Sequence, residues 1–305
     1  AAPERGGGPL LRVRLTSFKE GGQILALSYA RGLSDAAGLG RFLRAWARLH
    51  GALEPGAPSE RDRLVLDLAC SDLCAPSLCP EFLGLHRRAC APSGCPPLAD
   101  PVVLAVVMER GALREAAAAL SEAARGRRLI FDSDTFTSDQ VAYAAVVRAL
   151  DAALPASLVV DYRGALGAVG NFGGMSGLVD LDLPRDHVEA ASAILTELRP
   201  AATREFWRWK ARQPAQRFAA RLVLSSWADA VAAEDLCFGE APAHAVSVGE
   251  SCWQRWTSNY ARLGCSFALT LPRPDGALLL QALLPREAAG RLQREHPGRM
   301  WHPPA

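Results

Sequence analysis

A mixed protein of the α/β or α+β class is what the sequence predicts. Short apolar strand-like runs and segments of helical period occur together in both halves of the chain, which points to sheets flanked by helices. The 305 residues are half hydrophobic and 22% charged, a globular balance with enough length for two ordinary domains or one large one. No internal repeat interrupts this pattern, and low complexity is confined to alanine.

The elements follow in order. Leu10 to Leu15 alternates apolar and basic residues and reads as a strand. Glu20-Gly21-Gly22 is a turn signal, and Ile24 to Leu27 is a plausible partner strand, so a hairpin is expected. Leu39, Phe42, Leu43, Trp46 and Leu49 recur at helical spacing and predict a helix over Ala36 to Leu53, with Asp35 as N-cap. Cys70 to Pro101 holds no sustained period and reads as a crossover linker. Strands are then expected at Val102 to Met108, Leu158 to Tyr162, Gly177 to Leu181, Leu222 to Leu224, Cys265 to Leu271 and Ala277 to Leu284. Helices are expected at Ala112 to Ala124, Asp139 to Leu154 (stopped by Pro155), Asp186 to Leu198 and Pro285 to His296.

Charge and composition narrow the function. The net charge of +2 gives no field suited to nucleic acid or an anionic membrane. The only lysines are Lys19 and Lys210; arginine carries the remaining positive charge. Arg204, Arg208 and Arg212 share a helical face near Phe206, Trp207 and Trp209, and the simplest reading is a solvated face of an amphipathic helix. No apolar run of about 18 residues is present. The small, polar start from Ala1 to Gly8 lacks the apolar core of a signal peptide, and it lacks an initiator methionine, so a fragment or processed form is expected.

Five of the eight cysteines cluster: Cys70, Cys74, Cys79, Cys90 and Cys95. A zinc site with His86 is one reading. The successive spacings of three, four, ten and four residues fit a Cys- and Pro-rich loop better than the tight pairs of structural zinc sites. Reduced thiols in a cytoplasmic protein, with no metal, are the expectation.

Three segments carry a family likeness. The first is Leu27-Ser28-Tyr29-Ala30-Arg31-Gly32-Leu33-Ser34-Asp35-Ala36-Ala37-Gly38-Leu39, running on through Arg41-Phe42-Leu43-Arg44-Ala45-Trp46. The second is Asp161-Tyr162-Arg163, then Gly170-Asn171-Phe172-Gly173-Gly174. The third is Ser225-Ser226-Trp227, then Asp235-Leu236-Cys237-Phe238-Gly239-Glu240-Ala241-Pro242. In this order they resemble the motifs of the BAHD acyltransferases, which move an acyl group from coenzyme A to an alcohol or amine. The family patterns are His-x-x-x-Asp-Gly followed by Phe-x-x-x-Trp, then Asp-x-Arg with Tyr-Phe-Gly-Asn, then Ser-Trp with Asp-Phe-Gly-Trp-Gly. Asp35, Phe42, Trp46, Asp161, Arg163, Phe172, Gly173, Asp235 and Gly239 match, and Phe238 is an aromatic stand-in. Ala36, Asn171, Gly174, Leu236 and Cys237 depart, and the histidine position falls on Arg31.

The resemblance implies a two-domain architecture of the chloramphenicol-acetyltransferase type, each domain a mixed sheet flanked by helices. Residues 1–69 would be a remnant of an incomplete first domain, 70–100 the linker and 101–305 the second domain. It implies a monomer with acyl-CoA as co-substrate, a small hydroxyl or amine acceptor, and no bound cofactor. Arg31 and Asp35 would occupy the catalytic motif, with Asp35 paired to Arg163. A histidine base contributes about 10²–10⁴ in rate because imidazole titrates near neutrality. Guanidinium stays protonated and has no lone pair to offer. His50, His86, His187, His244, His296 and His302 stand at no position that the motifs select. The alternative is a catalytically inactive relative that binds a ligand or a partner.

Overall fold

The computed structural model describes residues 11–29, 34–52, 96–167, 175–213, 219–228, 236, 238, 248 and 250–301. The chain opens with an antiparallel hairpin of β1 (Leu11–Ser17) and β2 (Gln23–Tyr29). Gly21 and Gly22 close it with positive φ, as the turn signal predicted. Helix α1 (Ala36–Ala52) follows. Asp35 Oδ1 accepts from Gly38 N at 2.9 Å, satisfying a first-turn donor as an N-cap does. The Cys-rich segment from Cys70 to Cys95, including His86, lies outside the described residues.

The described residues that follow are built around a seven-stranded mixed sheet. Its strands are β3 (Pro101–Met108), β4 (Leu154–Asp161), β5 (Ser176–Leu183), β6 (Leu222–Ser226), β7 (Ser266–Pro272), β8 (Leu278–Pro285) and β9 (Gly298–Trp301), in the spatial order β5-β4-β6-β7-β8-β3-β9. The β4, β6 and β7 strands run parallel to one another, and the other pairings are antiparallel. Their carboxyl ends therefore meet at one end of the sheet.

The central strands are apolar on both faces because both faces are covered. Val102, Leu104, Val106, Leu222, Leu224, Ala268, Leu280, Ala282 and Leu284 belong to the larger core. That core is completed by α2 (Arg110–Gly126), α3 (Ser138–Leu150), α5 (His187–Ala201) and α8 (Arg286–Glu295). The alternate residues Val103, Val223, Phe267, Leu269 and Leu283 form a second core with Trp253 of α7 (Glu250–Arg262). The short helix α4 (Arg163–Leu166) follows β4, and α6 (Arg204–Arg212) follows α5.

Three local readings change. The expected helix to Leu154 ends at Leu150, because Asp151 turns into the left-handed region at φ 54°. Pro155 does not stop that helix; it is the second residue of β4, beyond the β6 pairing that starts at Ala156. Its carbonyl accepts from Arg221 N at 2.7 Å, and an imino residue is tolerated near a strand start. Strand β9 was not expected: four residues are too few for a periodic signal. In α6, the basic-aromatic helix, Trp207 is fully buried and donates to Ala201 O at 2.7 Å. Lys210 is also buried and pairs with Asp180 at 3.2 Å. That helix uses these residues for packing.

Candidate active site at the strand ends

The carboxyl ends of β4 and β6 carry Asp161-Tyr162-Arg163 and Ser226-Trp227, and α1 brings Asp35 to the first of these. Arg163 Nη2 donates to Asp35 Oδ1 at 2.7 Å, and Nη1 donates to Asp161 Oδ1 at 2.8 Å. The same Asp161 oxygen accepts Arg163 N at 3.0 Å. Asp35 Oδ2 accepts Met175 N at 2.6 Å. One carboxylate thus ties the entry of α1 to the end of β4 and to the start of β5.

The guanidinium is 1% exposed and the Asp35 side chain 15%. A charge held that far from water must be compensated by hydrogen bonds and by opposite charge. Burial works to lower the Arg163 pKa; the hydrogen bond and charge of Asp35, joined by Asp161, outweigh it and hold the group above its ordinary value. Tyr162 is fully buried between these groups, and desolvation first, then the charge of Asp35, pushes its phenol upward. Arg41, in the helix that Asp35 caps, has its pKa lowered by burial and by the neighbouring charge of Arg163. Its Nε is buried and has no hydrogen-bond partner among the described residues.

A second contact joins the first and third motifs. Trp46 of α1 meets Phe238 edge-on at 5.2 Å and 78°. Leu43 and Leu236 are buried in the same cluster, with Leu27, Leu39 and Phe42 packed around them. Of the sequence-predicted site residues, Asp35, Trp46, Asp161, Arg163 and Phe238 are placed, and they form these two contacts. Arg31, Phe172, Gly173, Asp235 and Gly239 lie outside the described residues, as do His86, His244 and His302. His187 and His296 lie near Arg148 and Glu295 on the helix layer, and burial lowers both pKa values.

Sequence reasoning missed a third element of this end of the sheet. Asp139 Oδ2 accepts from Ser226 Oγ at 2.9 Å, and Asp139 Oδ1 accepts from Thr270 Oγ1 at 2.6 Å. The capping box of Thr137 and Gln140 places Asp139 in the first turn of α3, but no local signal links it to residues 87 and 131 positions away.

No protein-family profile and no curated protein matches the chain in sequence. Solved structures do match in shape. The TRI101 protein of F. sporotrichioides, crystallised with coenzyme A and T-2, superposes at a TM-score of 0.59 and 18% identity, covering 97% of this chain and 72% of that one. Vinorine synthase superposes at 0.58 and 15% identity, covering 94% of this chain and 65% of its own. The condensation domain of the Monacolin K polyketide synthase MokA gives 0.53 and 13% identity, covering 94% and 70%. TRI101 and vinorine synthase are BAHD acyltransferases, and the chain shares their mixed α/β, chloramphenicol-acetyltransferase-like fold.

Proposed function

We propose that this chain, built on the fold of acyl-CoA-dependent acyltransferases, binds an acyl-CoA at the carboxyl ends of β4 and β6 and is a transferase by descent, toward an alcohol or amine acceptor. The observation that carries the reading is the Asp35–Arg163 ion pair of 2.7 Å. The motif resemblance calls for that pair, and in the family the aspartate turns away from the reacting atoms to hold the strand-helix junction. The co-crystallised coenzyme A of TRI101 supports the same class of donor here.

In this reading the acceptor attacks the thioester carbonyl directly, the acceptor proton leaves to a base, and coenzyme A leaves as the thiol. No covalent enzyme intermediate is needed. Arg31 holds the base position and cannot take that proton. Its guanidinium could pair with a phosphate or carboxylate, or stabilise the developing oxyanion. Without a base the transfer loses about 3–5 kcal/mol of barrier lowering. The second reading, a ligand-binding relative without turnover, is favoured by this one substitution.

Binding and turnover are separable. Calorimetric titration with acetyl-CoA and free coenzyme A tests the site, with dissociation constants expected in the roughly micromolar to millimolar range of enzyme substrates. No heat of binding from either would reject the reading. Thiol release in the presence of alcohols and amines then distinguishes a transferase from a binder.

A further inference from the structure

We infer that Asp139 is a positioning residue for this site, fixing Trp227 at the carboxyl end of β6 through the hydroxyls of Ser226 and Thr270. The inference rests on the acyl-CoA reading above for what the site binds.

Ser226 and Thr270 are cross-strand partners in the β6–β7 register. A single carboxylate from α3 accepts a hydrogen bond from each of them, at 2.9 and 2.6 Å. Hydrogen bonds to an ionised acceptor are short and strong, and Thr270 is fully buried, so water does not compete there. With its proton directed at Asp139, Ser226 Oγ presents lone pairs to the backbone and accepts from Ala228 N at 3.0 Å. Trp227 N donates to Thr270 O at 2.9 Å. The amides of both residues after the strand are therefore held by the two side chains' residues that Asp139 grips.

The consequence lies on the other face of the sheet. Side chains alternate along a strand, so Ser226 faces α3 while Trp227 joins the second core. There its indole meets Trp256 edge-on at 5.9 Å and 79°. Trp227 is only half-buried. It stands where the ends of parallel strands gather, the usual place for a ligand in an open α/β sheet. Tyr143, one helical turn beyond Asp139, closes the cluster, and its phenol is pushed well up by burial and by Asp139's charge.

The test uses the full chain with free coenzyme A as probe. In Asp139→Ala, exchange at the Trp227 and Ala228 amides should rise by about tenfold, with the Leu104 amide in β3 unchanged. Coenzyme A affinity should weaken by about tenfold. If that variant does not fold, Ser226→Ala is predicted to free the Ala228 amide alone and to weaken binding less. Wild-type exchange at both amides in a folded Asp139→Ala variant overturns the inference, and so do freed amides with wild-type affinity. Failure of the wild-type chain to bind coenzyme A defeats the acyl-CoA reading and the ligand half of this inference; the exchange rates still decide the clamp.

Discussion

Asp35 and Arg163, 128 residues apart in the chain, meet at 2.7 Å with the guanidinium shut away from solvent. The pair joins α1 to the large sheet, and Asp35 also caps α1 and accepts the Met175 amide. Asp35→Ala removes all three acceptor contacts and takes one compensating carboxylate away from the buried Arg163 cation. Breaking such a pair from one side costs about 3–5 kcal/mol. The urea midpoint of Asp35→Ala should drop accordingly; a variant as stable as the wild type would mean the junction is not held by this carboxylate.

Gly264 gives an independent check on packing. Its φ is +67°, and a Cβ there would lie 2.2 Å from the carbonyl oxygen of Pro96. Left-handed backbone alone costs an alanine about 1–2 kcal/mol, and the backbone carbonyl cannot move aside cheaply. Gly264→Ala should therefore lower stability by about 2 kcal/mol or more, read as a fall in thermal midpoint. Gly111→Ala, in the first turn of α2 with open space around its Cβ position, is the control expected to fold as well as the wild type.

Acid should weaken the fold before its carboxylates titrate. Burial, with the charge of Arg148 next, lowers the His187 pKa, and burial lowers that of His296. A histidine with a depressed folded pKa stays neutral in the fold while the unfolded chain takes up a proton. Its contribution is complete above the unfolded value of about 6.5 and is lost as pH falls through the folded value. Hydrogen bonds from the Phe131 backbone and from Arg185 hold Asp134 and Asp151 below the usual carboxylate range, and their loss belongs below about pH 4. Denaturant midpoints between about pH 7 and 5 should therefore decline, and the double substitution His187→Gln with His296→Gln should flatten that decline. An unchanged slope would assign it to other groups.

Much of this architecture was legible in the sequence because its signals are local. Helical spacing from Leu39 to Trp46 and the N-cap at Asp35 needed no knowledge of the rest of the chain. Alternation and apolar runs marked most strands of the large sheet. The Asp35–Arg163 pair was legible only through the motif resemblance, since nothing in either segment alone specifies a partner so distant. Pro155 misled because a proline ends helices and also sits at strand starts, and the turn at Asp151 carries no glycine to announce it. Asp139 stayed hidden because its role depends on two hydroxyls that only the folded sheet brings beside α3. An aspartate in a helix's first turn is otherwise well explained by the dipole.

We propose an acyl-CoA site whose base position falls on Arg31. It is tested most directly by thiol release from acetyl-CoA, with a panel of alcohols and amines, comparing the wild-type chain with Arg31→His. Turnover in Arg31→His is expected to exceed that of the wild type by about 10² or more, the scale of a restored general base. Wild-type turnover that Arg31→His abolishes would contradict it, by making the guanidinium part of the chemistry.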